Sequence, residues 1–232
     1  MILAYVPARG GSKEILRKNL IPVGGMPLLE WTIEAARASS SIDEVWVSTE
    51  DPEIRGFAQS KGARTAYERP VALAGDESTI VDGLLHFLDW LSSRGREQPE
   101  AVVVLQPTSP LRDGALIDSV VAEFRTGRFD SIFSVSEVSQ HPREVISWVG
   151  GARDWDYLVG RRHGITQRQT YESNFFFMNG SMYVVSPDFV RREKALVVPG
   201  VSVPYTIPQE FGLEVDSAFD LMLLRRVVGR ES

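Results

Sequence analysis

Two glycines, Gly10 and Gly11, follow the apolar run 2–6 and stand among Arg9, Ser12, Lys13, Arg17, Lys18 and Asn19. A glycine pair at the end of a buried strand lets backbone N–H groups turn toward an anion, because no Cβ obstructs the approach. Residues 1–20 carry four cations against one acid, Glu14, a local +3 on a chain whose net charge is −6. Local positive charge on an acidic protein is what a polyphosphate site requires. Taken alone, the same loop also reads as a solvated basic turn.

The elements around this loop decide what it can reach. Residues 2–6, 44–49, 101–105 and 131–135 read as strands, and residues 26–38, 52–61, 80–93 and 114–126 as helices, with Pro27 in the first turn of the first helix and Gly62 closing the second. Strand and helix alternate, which predicts an α/β fold: a mostly parallel sheet flanked by helices on both faces. Ligands in such sheets sit beyond the carboxyl ends of the strands. The polar segments there are 7–19, 48–52 and 106–112, and all three are expected to face one crevice. From 137 to 178 the rhythm breaks into aromatic and basic residues without helical period. That span is expected to be an inserted arm, projecting from a single domain 1–232 and packing against a partner chain. A strand (181–185), a short helix (187–192), a strand (201–207) and a final helix (218–228) complete the reading.

Composition narrows the function classes. An acidic balance with pI ≈ 5.2 argues against binding nucleic acid or a membrane surface. The absence of cysteine removes disulfides, thiolate metal sites and cysteine nucleophiles. The chain opens on an apolar strand without the basic region of a leader peptide, and no window reaches the length of a membrane span, so a cytoplasmic protein is expected. The histidines form no metal-site pattern: His86 lies on an apolar helix, and His141 and His163 lie in the arm.

The run VPARGGSKEILRKN (6–19) together with LQPTSPLR (105–112) resembles the cytidylyltransferases that activate sialic acids and related nonulosonic acids. Ser48-Thr49-Glu50-Asp51, Glu68-Arg69-Pro70, Arg168-Gln169, Asn179-Gly180-Ser181 and Glu214-Val215-Asp216-Ser217 follow in the family's order and extend the likeness over nearly the whole chain. The resemblance implies a Rossmann-like nucleotidyltransferase fold with a dimerisation arm, and a homodimer. It also implies coupling of a 2-keto sugar acid to CTP, with Mg2+, to give the CMP-sugar and pyrophosphate.

The likeness also assigns roles. Lys13 and Arg9 would be the catalytic cations on the triphosphate, with Lys13 at the α-phosphate. Ala8, Gly10, Gly11, Ser12, Lys18 and Asn19 would hold the nucleotide's phosphates. Arg69, Ser78 and, less directly, Asp82 would read the cytosine and ribose, although Ser78 also reads as a helix cap. Gln106, Arg168, Asn179 and Tyr171 would contact the sugar acid, and Phe175, Phe176 and Phe177 would line its pocket or pack the arm. Asn179-Gly180 reads equally as a turn. Glu214 and Asp216, at i and i+2 on a strand, would share one face and converge on a hard cation, with Asp216 the surer ligand. Asp220 reads as a first-turn acid of the last helix.

The chain departs from this family at Glu14, where glycine is usual, at Leu16, where proline is common, and at Glu214, where aspartate is usual. Glu14 is expected to point outward or be bridged by Arg17 or Lys18. These departures leave open a non-catalytic nucleotide-sugar-binding homologue. A cytidylyltransferase for another 2-keto sugar acid, such as Kdo, is a further reading, though its first loop lacks the GGSK…KN pattern. Among nonulosonic acids the sequence does not choose, with legionaminic or pseudaminic acid at least as fitting as sialic acid.

Overall fold

The computed structural model describes residues 1–12, 14–148, 150–151, 154–159 and 175–229. Strands β1 (Ile2–Pro7), β4 (Glu44–Ser48), β5 (Ala101–Val104), β6 (Ser131–Glu137), β9 (Phe176–Val185) and β10 (Val203–Thr206) form a sheet in the order β10-β6-β9-β5-β1-β4. Strand β1 runs parallel to β4 and β5, and β10 runs parallel to β6, while β9 is antiparallel to both its neighbours.

The alternation within β1 explains how both faces are covered. Ile2, Ala4 and Val6 pack with Leu29, Ile33 and Ala36 of helix α1 (Leu28–Ala38), Ile54 of α2 (Pro52–Ser60) and Ile117 of α4 (Gly114–Phe124). Leu3 and Tyr5 pack on the other face with Leu84, Phe87 and Leu88 of α3 (Ile80–Ser93) and with Phe189 of α5 (Pro187–Glu193). A third, smaller cluster joins Ile15, Val23, Leu28 and Val215 to Leu221 and Leu224 of α6 (Ala218–Val228). It anchors the first loop and the 214–216 segment on the same apolar floor.

Three expectations are corrected here. Pro27 is the cap of α1 rather than part of its first turn, because Met26–Pro27 (β3) pairs antiparallel with Pro22–Val23 (β2). The strand read as 181–185 begins at Phe176. Between the pairs Phe133–Tyr183 and Val135–Met178, Ser134 alone faces residues 179–182, so Asn179-Gly180 is a wide bulge inside β9, with Gly180 at φ +67°. Residues 213–216 lie outside any strand.

Within 137–178, Glu137 pairs with Phe176, so the span leaves and re-enters the sheet at one point. Its described part includes an antiparallel pair, β7 (Ile146–Trp148) with β8 (Trp155–Tyr157), and exposes Trp148, Trp155, Phe176, Phe177 and Met178.

Candidate active site

The carboxyl ends of β1, β4 and β5 meet the first loop. The Ala8 amide extends the sheet by donating to the Ser48 carbonyl (2.9 Å), so it is not free for a phosphate. Asn19 donates from Nδ2 to the Arg9 carbonyl (2.8 Å) and closes the loop across its base. The Gly10 N–H, expected to face an anion, donates to Glu50 Oε1 (2.7 Å). The cations are paired likewise: Arg9 with Asp76 (3.2 Å), Lys18 with Asp216 (2.9 Å), and Arg17 with Asp51 (2.6 Å) and Glu53. Glu14 is exposed, as one of its two expected placements had it, and Arg17 and Lys18 turn to other carboxylates. Gly11 is exposed and Ser12 partly so, while Lys13 lies outside the described residues.

Beside the loop, a cleft of ≈ 110 Å³ is lined by Arg9, Arg69, Ser78 and Gln106, with Pro7 and Ile80. Four expected nucleotide and sugar residues are thus brought to one place. Arg69 is buried, and its Nε donates to Ser48 Oγ (2.9 Å), which also accepts from the Tyr5 hydroxyl (2.9 Å). This fixes the guanidinium at the cleft wall. Ser78 is not the cap of α3; Thr79 is, in a reciprocal box with Asp82, and Ser78 Oγ donates to the Ala72 carbonyl (2.9 Å). The Asp82 carboxylate is thereby engaged with the Thr79 amide (2.9 Å) and hydroxyl (2.7 Å), which hold it below its ordinary pKa, so in this structure it serves as part of the helix cap.

Gln106 Nε2 donates to the Gly180 carbonyl (3.1 Å) at the mouth of the β9 bulge. Asn179, expected to contact the sugar acid, has its side chain bonded within the sheet. It is 1% exposed, its Oδ1 accepts from Ser134 Oγ (2.6 Å) and the Ser181 amide (3.1 Å), and its Nδ2 donates to Ser136 Oγ (2.8 Å). Its amide shapes the bulge that presents Gly180. Arg168 and Tyr171 lie outside the described residues.

Glu214 and Asp216 flank the buried Val215, whose amide donates to the Thr108 carbonyl (2.7 Å). An irregular segment, not a strand, carries them, yet the alternation survives because Val215 is pinned inward. Glu214 Oε1 accepts from Thr108 Oγ1 (3.3 Å). Burial, and then the charge of Asp216, push the Glu214 carboxyl above its ordinary value against the opposing Thr108 bond and Lys18 charge. Lys18 is the cation beside this pair, bonded to Asp216, and the hard oxygen donors of the two carboxylates fit a divalent cation such as Mg2+. Asp220 caps α6 through Ser217, in keeping with a helix-start role.

Glu50, Ser48, Tyr5 and Thr108 carry this geometry although sequence reasoning gave them no role. Ser48, Glu50 and Thr108 stand inside blocks that carry the family resemblance, and each lies at or just past the carboxyl end of a strand, whereas Tyr5 within β1 had no such signal.

Residues 3–147, more than half of the chain, match the cytidylyltransferase family. The chain belongs to that family. Among relatives within and around it, the chain is 32% identical to the CMP-N,N'-diacetyllegionaminic acid synthase of Legionella pneumophila over 197 residues, covering 84% of this chain and 82% of that protein. It is 30% identical over 224 residues to the N-acylneuraminate cytidylyltransferase of Streptococcus agalactiae serotype V, covering 95% of this chain and 51% of the relative. The chain thus spans about half the length of several curated cytidylyltransferases it matches. A solved CMP:2-keto-3-deoxy-manno-octonic acid synthetase complexed with CTP superposes with a TM-score of 0.68 at 17% identity, covering 97% of each chain. At that identity the superposition shows that this family member shares the fold.

Proposed function

We propose that the protein is a CTP:nonulosonate cytidylyltransferase. The observation that carries the reading is the convergence of Arg9, Arg69, Ser78 and Gln106 on one cleft, beside a loop whose cations reach the Glu214/Asp216 pair through Lys18. A cytosine edge fits Arg69 and Ser78, and the triphosphate extends along residues 9–19. The anomeric hydroxyl of the sugar acid, held from the Gln106 side, forms a bond to the α-phosphorus. The α–β P–O bond breaks, pyrophosphate leaves and the hydroxyl proton is released. Phosphoryl transfer of this kind needs positioning and charge neutralisation more than covalent help. Lys13 is assigned to the α-phosphate, and Arg168 and Tyr171 to the sugar acid, by likeness to the family's motifs.

Glu214 and Asp216 would hold Mg2+, which when bound supplies positive charge to the phosphates. The exposed aromatic residues of the 137–178 arm support a homodimer, with a second copy covering them. Use of a nucleoside triphosphate supports a cytoplasmic location. The printed names of the relatives favour a legionaminic or sialic type of acid.

Pyrophosphate release with CTP, Mg2+ and a panel of legionaminic, pseudaminic, sialic and Kdo acids tests the reading. Turnover is expected with at least one nonulosonic acid and is expected to fall at least about 100-fold in Lys13→Ala. CTP binding without turnover on any acid refutes catalysis and leaves the non-catalytic homologue. Light scattering at the monomer mass of 25.9 kDa would refute the dimer.

A further inference from the structure

We propose that Arg112 is a positioning residue that fixes Gln106 and the Glu214 carboxylate relative to each other by holding the 106–112 turn from inside. The consequence for turnover rests on the cytidylyltransferase reading; the positional claim does not.

Arg112 is 2% exposed. Its Nη1 donates to the carbonyls of Ser109 (2.6 Å) and Ser181 (3.0 Å), and its Nη2 to Thr32 Oγ1 (2.9 Å) and the Gln106 carbonyl (2.8 Å). None of the four acceptors is a carboxylate. Burying a cation without a counter-ion costs free energy that an apolar side chain of similar size would not. Ser109 Oγ, Ser181 Oγ and Arg112 Nε are also buried without a protein partner. A cluster built this way is poor for stability, so what it contributes is geometry.

The geometry is specific. Arg112 ties the turn to α1 through Thr32 and to the β9 bulge through Ser181. From the turn, Gln106 reaches the Gly180 carbonyl (3.1 Å). Thr108 receives the Val215 amide (2.7 Å) and donates to Glu214 (3.3 Å). The buried guanidinium therefore holds the backbone of the 106–109 turn, and that backbone carries both the Gln106 amide on the sugar side and Thr108, which bonds Glu214. Burial pushes the guanidinium down to about 9, so it keeps its charge and all its donors at neutral pH.

The test compares Arg112→Met, Arg112→Lys and the milder Thr32→Val with wild type. Hydrogen exchange by mass spectrometry follows segments 104–112 and 212–217, and steady-state kinetics follow CTP and Mg2+. In Arg112→Met both segments are expected to exchange at least about tenfold faster while α2 and α3 keep their protection. kcat is expected to fall about 100-fold with the KM for CTP changed less than about threefold. Arg112→Lys should recover part of the kcat, and Thr32→Val should loosen both segments by about threefold. If Arg112→Met does not fold, Thr32→Val and Arg112→Lys decide alone. Unchanged exchange in 212–217, or loosening spread evenly over the molecule, overturns the proposal. A wild-type protein without turnover refutes the proposed function only, because the exchange measurement still decides the role of Arg112.

Discussion

A methyl group added at Gly10 would stand 2.5 Å from Asp51 Oδ2 and 2.9 Å from Asp51 Cβ, while one added at Gly11 would meet nothing within 4 Å. Asp51 is poorly placed to yield. Its Oδ1 accepts from the amides of Glu53 (2.8 Å) and Ile54 (3.0 Å) as the cap of α2, and its Oδ2 accepts from Arg17 (2.6 Å). Burial alone would lift its carboxyl, but the bonds from Ile54, Arg17 and Glu53 together hold it below the ordinary range. Turning Asp51 aside sacrifices the cap, worth about 1 kcal/mol, and a partly exposed ion pair worth no more than that. Moving the loop instead breaks the Gly10–Glu50 bond, whose acceptor is a carboxylate, at a cost of about 1.5–3 kcal/mol. Gly10→Ala should therefore cost about 1–3 kcal/mol and Gly11→Ala less than about 0.5 kcal/mol. Asp51→Ser keeps a capping oxygen and removes Oδ2 but not the 2.9 Å contact, so in that background the Gly10→Ala penalty should fall by about half. Urea unfolding at pH 7 measures all four proteins, and calorimetric titration with CTP should show at least about tenfold weaker binding for Gly10→Ala. Equal penalties at Gly10 and Gly11, or no relief from Asp51→Ser, would refute the reasoning.

Two further outcomes can be checked. Asp118 accepts from Ser39 Oγ (2.6 Å), the Ser41 amide (2.9 Å), and the Ser40 amide (3.1 Å) and hydroxyl (2.9 Å), clamping α4 to the end of α1. Burial opposes ionisation, yet the bonds from Ser39, Ser41 and Ser40 override it and hold the carboxyl far below its ordinary value. A depressed folded pKa gives stability that is complete above about pH 4 and is lost as the pH falls below it, so Asp118→Asn should cost about 1–2 kcal/mol at pH 7 and flatten the acid limb of the pH–stability curve. Urea melts at pH 7, 4 and 3 read this directly, and parallel curves for the two proteins would count against it. Ser48→Ala would strip the shared acceptor from Tyr5 and the buried Arg69, costing about 1–3 kcal/mol and raising the KM for CTP. An unchanged KM would remove Arg69 from the nucleotide cleft.

Strands buried on both faces were legible because their apolar runs are short and uninterrupted, as in residues 2–6 and 101–104, and the helices because their apolar faces recur at the helical period. The reversal of β9 was not legible. Phe176, Phe177 and Met178 look like arm residues, and Asn179-Gly180 looks like a turn. Their pairing with Val135, Ser136 and Glu137, together with the bonds of Asn179 to Ser134 and Ser136, shows that the strand passes through them. The cleft was read from motif order, and Arg69, Ser78 and Gln106 meet as expected. Ser48, which holds Arg69, and Thr108, which holds the Glu214 segment, are small polar residues whose role depends on contacts between distant segments. Arg112 gave no sequence signal of burial, since arginine is ordinarily exposed. Its four acceptors come from residues up to eighty positions away.

The first loop already carries the protein's own anions on most of its described cations. Among the described residues, Arg9, Arg17, Lys18 and the Gly10 amide each face a carboxylate. Such a loop behaves as an ion exchanger. An arriving polyanion trades places with Asp76, Glu50 and Asp216, and its affinity is the difference between two sets of similar contacts. Added salt, which screens both sets, should therefore shift binding less than the loop's formal charge suggests. When the polyanion departs, the displaced carboxylates return to their cations, so release is aided by the same groups that moderate capture.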